Sequence, residues 1–138
     1  MSQERAPASS STLRVAAAVA ILFGIASVVS GGRVLLGVGA ARAEAGAYVP
    51  FVLWFNFVAG FAYVAAGAGL WLGRAWSAWL SVTLAGLTAL TYAAFGVHVA
   101  LGGAFEGRTV VAMAVRTALW TLIAVLACKQ PQSSKERA

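Results

Sequence analysis

Charge is scarce in this chain, and acidic charge is scarcer still. Of 138 residues only 10% are charged, aspartate is absent, and 61% are hydrophobic. Soluble domains are about 25% charged and roughly 45–50% apolar. The chain therefore lacks the charge to cover a water-facing surface, and its composition excludes an ordinary soluble domain.

Cysteine and histidine are each present once, as Cys128 and His98. A single cysteine excludes an intramolecular disulfide and a cysteine-based metal centre. His98 and Glu106 together could supply two metal ligands at most, which is too few for a closed zinc site. We therefore expect no metal and no cofactor, and Cys128 is interpreted as a small apolar residue at a helix end.

Nucleic acid is also excluded as a partner, although the formal net charge is +6. The ten lysines and arginines lie at the ends of apolar runs and form no basic stripe. Cations at such positions are typical of membrane proteins. The abundance of arginine, alanine and glycine suggests a bacterial gene.

Four long apolar runs are present, at residues 13–38, 48–72, 75–101 and 109–128. About 20 apolar residues suffice for a helix to cross the ~30 Å hydrocarbon core. The sequence thus predicts an all-α integral membrane protein, an antiparallel four-helix transmembrane bundle at 13–128. Polar tails at 1–12 and 129–138 are predicted to be disordered. Pro50 is compatible with the first turn of the second helix.

The distribution of lysine and arginine predicts the orientation. With four spans, both tails share a side with the turn at Gly73 and Arg74. That side carries six cations, against three on the other: Arg5, Arg14, Arg74, Lys129, Lys135 and Arg137 against Arg33, Arg42 and Arg108. Cytoplasmic loops are richer in such residues, so we expect a multi-pass protein of the bacterial inner membrane with cytoplasmic termini. The alternative, a cleaved signal peptide ending near residues 41–43, requires a much shorter apolar run.

Small residues along the first two apolar helices predict close helix packing. They recur as Ala16, Ala20, Gly24, Ser27 and Gly31 in the first helix, and as Ala59, Gly60, Ala66 and Gly67 in the second. Helices in a bilayer associate largely through close contact of such residues. Self-association through these residues, in a homo-oligomer or a larger membrane complex, is the alternative interpretation.

Polar side chains within or beside the apolar runs are the candidate site. They are Arg116, His98, Asn56, Glu106 and Tyr92, and all are predicted to lie in the outer half of the bilayer or at its edge. Arg116 lies roughly 10 Å along the fourth helix from Thr109. Each also has a structural interpretation. Arg116 could extend its charge to the membrane surface, and Asn56 could form an interhelical hydrogen bond. Glu106 could pair with Arg116 or with His98.

These residues predict a polar pocket open to the outer face. We expect a non-enzymatic membrane protein that binds a small amphiphile, a lipid headgroup or a partner subunit in this pocket, because no nucleophile lies beside a plausible base. One alternative is an oligomeric channel or transporter, although no acid lies within a span. The other is a membrane redox accessory or enzyme acting on a quinone-like substrate. No motif is specific enough to indicate a family.

Overall fold

A computed structural model describes residues 8–129, and this part of the chain is all-helical. Its five helices are α1 (Ala8–Leu35), α2 (Ala41–Ala45), α3 (Pro50–Trp71), α4 (Ala75–Ala100) and α5 (Gly107–Cys128). All but α2 are long enough and apolar enough to cross a membrane. Even the 22 residues of α3 extend about 33 Å at 1.5 Å per residue, which exceeds the ~30 Å hydrocarbon core.

The observed helices differ from the predicted runs mainly at α1 and in the first connection. α1 begins at Ala8, inside the segment predicted to be a tail, and ends before residue 38. The connection predicted at residues 39–47 contains the short helix α2. Pro50 occupies the first turn of α3, as predicted. The predicted tails otherwise fall on residues 1–7 and 130–138, which lie outside the described residues.

Three of the long helices end on the same glycine motif. Gly37, Gly73 and Gly102 follow α1, α3 and α4, and their φ angles of 65°, 67° and 85° lie in the left-handed region. The residue after each glycine donates its backbone N–H to a carbonyl five positions earlier: Val38 to Arg33, Arg74 to Gly69, and Gly103 to His98. This is the Schellman motif, which satisfies carbonyls at a helix end. Glycine therefore determines where these helices stop.

The connections between the long helices define two ends of the molecule. The loop end contains residues 36–49 and 101–106, and the turn end contains residues 72–74. At the loop end, the Arg42 side chain closes α1 by donating hydrogen bonds to the carbonyls of Val34 and Leu35, at 3.0 and 2.8 Å. α2 is thus held directly against the end of α1.

Glycines bring α1 and α3 into backbone contact. A Cβ atom added at Gly24 would lie 2.7 Å from the Gly60 carbonyl oxygen, and one at Gly67 would lie 2.8 Å from the Ala17 oxygen. Position 60 of α3 faces position 24 of α1, while position 67 faces position 17, so the contacts run in opposite order along the two helices. The small residues of these helices lie at a close helix contact, as predicted.

Apolar side chains form two clusters along the long axis. The turn-end cluster draws on all four long helices and includes Tyr63, Leu84, Trp120 and Ile123. The loop-end cluster is smaller, and its buried members are Val49, Val52, Phe95 and Met113. On α3 and α5, the residues between the two clusters include Asn56 and Arg116. These two polar residues therefore lie between two apolar layers.

The lateral contacts of the long helices are unequal. α1 packs extensively on α3, α3 on α4, and α4 on α5, whereas α1 and α5 touch at only a few positions. The α1–α5 contact is thus the loosest between neighbouring long helices, and one of its few interactions involves Arg116.

Candidate functional site

The five residues predicted as a site fall in two separate places. Asn56 and Arg116 are half-buried and lie between the two apolar clusters. His98 and Glu106 lie at the loop end, where they contact the connections. Tyr92 is partly buried against the loop-end cluster. The structure thus divides the predicted pocket into an interior polar layer and a set of contacts between connections.

Arg116 reaches from α5 to α1. Its Nη1 donates a 2.8 Å hydrogen bond to the Ser27 hydroxyl, and its guanidinium carbon lies 4.8 Å from the centre of the Phe23 ring. The Ser27 hydroxyl in turn donates to the Phe23 carbonyl at 2.8 Å. Ser27 therefore acts as acceptor for Arg116, and the cation lies over an aromatic face. Arg116 is half-buried, and its Nε atom is buried without a hydrogen-bond partner.

Three buried side-chain atoms lack a partner among the described residues: Asn56 Oδ1, Arg116 Nε and Trp120 Nε1. Trp120 is 0% exposed, so its indole N–H has no access to solvent. A buried polar group without a hydrogen bond costs roughly 1–3 kcal/mol. Such groups are rare in native proteins, and these three lie in one layer. We refer to Ser27, Asn56, Arg116 and Trp120 as the central site.

Aromatic packing fixes the position of Trp120 within this layer. Its ring lies 4.7 Å from that of Tyr63, at an interplanar angle of 31°. The Tyr63 hydroxyl lies 3.4 Å from the Thr88 hydroxyl, and the Phe23 ring is 6.3 Å from the Tyr63 ring. These contacts connect α1, α3, α4 and α5. The indole N–H thus stays unpartnered in a well-packed position.

Helical spacing places Asn56 and Arg116 on the same side of the Tyr63–Trp120 pair. Arg116 is one turn before Trp120, about 6 Å toward the loop end, and Asn56 is two turns before Tyr63, about 10 Å in the same direction. Both lie on the stripes of α3 and α5 that also carry the buried Val52, Tyr63, Met113 and Trp120. The three unpartnered atoms therefore occupy one stretch of the interior.

Arg116 marks the sparse contact between α1 and α5. Its side chain crosses this contact to reach Ser27. Arg116 is half-buried, whereas its neighbour Val115 is apolar and 50% exposed. The edge of the central site at α5 is thus bordered by an exposed apolar side chain.

Glu106 joins the two connections at the loop end. Its carboxylate accepts a 2.8 Å hydrogen bond from the Ala47 backbone N–H and lies against Gly46, whose φ of 64° is left-handed. The Arg108 guanidinium donates to the Glu44 carbonyl from the other direction. The pairings considered for Glu106, with Arg116 or His98, are replaced by this contact, because Arg116 is bonded to Ser27 and His98 to a backbone carbonyl.

His98 is also engaged by backbone at the loop end. One ring nitrogen lies 3.0 Å from the Ala104 carbonyl oxygen. Gly103 lies so close to the imidazole that an added Cβ would require the ring to shift. The Phe51 ring approaches the imidazole edge-on at 6.2 Å. These contacts hold the connection between α4 and α5, and they place His98 apart from the central site.

No metal site is formed by the described residues 8–129, where no group of three or more His, Cys, Asp or Glu side chains comes together. Cys128 is exposed at the end of α5. The chemistry of the central site is therefore that of hydrogen bonding and charge.

Two members of the central site were absent from the sequence prediction. Ser27 was interpreted only as a small packing residue, because a serine in an apolar helix resembles alanine in size. Trp120 was overlooked because a tryptophan in an apolar run resembles a lipid-facing residue. The signal that could have found it is its position: Trp120 lies well inside α5, one turn after Arg116, whereas Trp71, Trp76 and Trp79 flank the 73–74 turn.

Comparison with models of protein families, with curated proteins and with solved structures finds no match to this chain.

Proposed function

We propose that this chain is a non-enzymatic membrane protein, an antiparallel four-helix transmembrane bundle whose central site binds the headgroup of a small amphiphile. The observation that carries the proposal is the buried, unpartnered indole N–H of Trp120, one helical turn from the unpartnered Nε of Arg116. Two buried, unpartnered donors one turn apart on α5 favour a ligand that accepts hydrogen bonds.

The charge of the site defines the class of headgroup. Arg116 supplies the cation of the site, and no acidic residue lies within any of the four long helices between residues 11 and 128. A carboxylate or a phosphate would accept from both Arg116 Nε and Trp120 Nε1, and would neutralise the buried cation. Charge-assisted hydrogen bonds of this type contribute about 1.5–3 kcal/mol each.

The surroundings of the site favour an amphiphile over a water-soluble anion. Arg116 lies at the sparse α1–α5 contact, and its exposed neighbour Val115 is apolar. In a bilayer, an amphiphile would approach along this contact, with its alkyl chain between α1 and α5 and its headgroup at Arg116. The turn-end cluster below the site is apolar across all four long helices. It offers little support for the alternative of a water-lined channel.

A matched set of variants tests this proposal. Trp120→Phe keeps an aromatic ring but removes the N–H, and Arg116→Lys keeps the charge but removes the planar guanidinium. Trp79→Phe is the control, since Trp79 is 72% exposed. Amphiphiles that co-purify in mild detergent are quantified by mass spectrometry. We expect about a tenfold loss of a carboxylate- or phosphate-bearing species in both site variants, which corresponds to about 1.4 kcal/mol, and none in the control.

Equal recovery of every co-purified species from all four proteins would reject the proposal. The redox alternative has its own signature, because a bound quinone or flavin absorbs light. A visible or near-ultraviolet ligand band that is lost with His98→Ala, while Trp120→Phe leaves it intact, would favour that alternative.

The orientation forms part of the proposal, with both termini cytoplasmic and the loop end facing the periplasm of a bacterial inner membrane. Its support is the excess of Lys and Arg on the side of the termini. In a Cys128→Ser background, a cysteine introduced at Ala43 of α2, which is exposed, should react with an impermeant thiol reagent in intact cells. Cysteines at Ser9 and Ser133 should be protected. Labelling at Ser133 with protection at Ala43 would reverse the orientation.

A further inference from the structure

A groove runs between α1 and α3 in the loop-end half of the molecule, on the contact that does not include Arg116. Its volume is about 440 Å³, and its walls include Val28, Gly32, Trp54 and Phe57. Arg33 is the one charged residue among those that line it. The groove is therefore apolar apart from a single cation, and it is separate from the central site.

Gly32 lines this groove beside Phe57. A Cβ atom at Gly32 would lie 3.3 Å from Cε2 of the Phe57 ring, and one at Gly31 would lie 3.1 Å from the Phe57 Cβ. Phe57 thus packs directly over the two glycines. A large side chain at position 32 would narrow the groove.

The Arg33 side chain differs from the other arginines of the loop end. The guanidinium groups of Arg42 and Arg108 donate to the backbone of α1 and α2. Arg33 is exposed, and its guanidinium makes no hydrogen bond or ion pair with any residue between 8 and 129. Nearby, Trp54 is 54% exposed, and exposed indoles favour the headgroup layer of a bilayer. The groove thus combines an apolar lining with a cation, Arg33, that has no hydrogen-bond partner among the described residues and lies at the level of the lipid headgroups.

We propose that the groove binds one acyl chain of an anionic phospholipid, whose phosphate and anionic headgroup contact Arg33. The charges favour this occupant over a second copy of the chain. Two copies meeting at this groove through a two-fold axis would bring two Arg33 side chains together, and each copy has a formal net charge of +6. A lipid with a negative headgroup supplies the opposite charge and an apolar chain in one molecule. This proposal does not depend on the function proposed for the central site.

Photo-crosslinking tests the proposal with the full-length chain in phospholipid nanodiscs. The probes are phosphatidylglycerol and phosphatidylcholine that carry the same diazirine-bearing acyl chain, and crosslinked residues are mapped by mass spectrometry. We expect phosphatidylglycerol to label residues 28–38 and 54–57 at least fivefold more than phosphatidylcholine. Arg33→Gln should reduce phosphatidylglycerol labelling to the phosphatidylcholine level, whereas Arg74→Gln, a charge-matched change at the turn end, should leave it unchanged.

Steric variants separate a defined groove from general lipid contact. Gly32→Leu should place a side chain in the groove. It should therefore reduce labelling of residues 28–38 and 54–57 by either lipid at least threefold. Gly96→Leu adds the same side chain in the loop-end half of α4, where a Cβ meets nothing within 4 Å, and should leave labelling unchanged. Equal labelling by both lipids that Arg33→Gln does not alter would overturn the proposal. Protection of residues 28–38 and 54–57 from both lipids in a dimer of the chain would also overturn it, in favour of a second copy at this groove. Because Arg33→Gln changes no packing residue, this result stands even if Gly32→Leu fails to fold.

Discussion

α1 makes two kinds of contact with its neighbours. Toward α3 it presents Gly24, and the two backbones approach until a single added carbon atom would collide with a carbonyl oxygen. Toward α5 it presents Ser27, which accepts one hydrogen bond from Arg116 across a contact with few other interactions. The first contact is continuous and apolar. The second is sparse and polar.

A ligand can be accommodated only at a helix contact that leaves space or an unpartnered polar group. Backbone contact through glycines leaves no space and no unpartnered group, so the α1–α3 contact in that region can only hold the helices together. The α1–α5 contact leaves Arg116 half-buried and its Nε unpartnered. The close contact and the polar contact thus lie beside each other on α1, since a Cβ added at Gly60 would meet both the Gly24 oxygen and the Ser27 Cβ.

The largest expected effect comes from breaking the close contact. A Cβ atom at Gly60 would lie 2.8 Å from a Val28 methyl group and 2.9 Å from the Gly24 oxygen. Gly60→Leu should therefore force α1 and α3 apart and cost about 1–3 kcal/mol or more. We expect a clear drop in the thermal unfolding midpoint in detergent. Gly86→Leu is the control, since a Cβ there meets nothing within 4 Å. Equal midpoints for the two variants would contradict the described packing.

A smaller substitution at the α1–α3 contact tests whether the effect on stability is positive or negative. Replacing glycine by alanine inside a helix usually stabilises the helix, by up to about 1 kcal/mol. At Gly24 the added methyl would meet the Gly60 oxygen at 2.7 Å and the Val64 side chain at 2.8 Å. We therefore expect Gly24→Ala to lower the unfolding midpoint, and Gly96→Ala to leave it unchanged or raise it. A stabilising Gly24→Ala would mean that α1 and α3 are not in backbone contact.

The smallest expected effect concerns the polar contact. Ser27→Ala removes the hydrogen-bond acceptor of Arg116 and should cost about 1 kcal/mol. Ser30→Ala, three residues further along α1 and exposed, should be neutral. A double-mutant cycle with Arg116→Leu isolates the interaction, because Ser27→Ala should cost much less once Arg116 is gone. If Ser27→Ala costs the same in both backgrounds, the hydrogen bond contributes nothing to stability.

Much of the fold could be predicted from the sequence, because a bilayer imposes strong constraints on length and polarity. The four apolar runs coincide with the four long helices, and the small residues Gly24, Gly60 and Gly67 lie at a real helix contact. The short helix α2 was not predictable. Its five residues, Ala41–Ala45, have no apolar period, and it lies against the end of α1 through the Arg42 side chain.

The candidate site was predicted less completely, because the sequence does not state which side chains meet. Arg116 and Asn56 were identified as polar residues in apolar surroundings, and both lie in the interior layer. The partner of Arg116 proved to be Ser27, which is 89 residues away in the chain. His98 and Glu106 are close to residues 104 and 47 instead, because the connections fold onto each other at the loop end. Periodicity along single helices carries no information on such contacts between them.

The hydrogen bond between Arg116 and Ser27 also has a consequence for biosynthesis in a membrane. α5 is the last of the long helices to leave the ribosome, and an arginine near the centre of a membrane helix costs ~2.5–3.5 kcal/mol on insertion scales. Its hydrogen-bond acceptor lies on α1, which is made before α5. In the proposed transmembrane arrangement, we expect α5 to enter the bilayer most efficiently when α1 is still nearby.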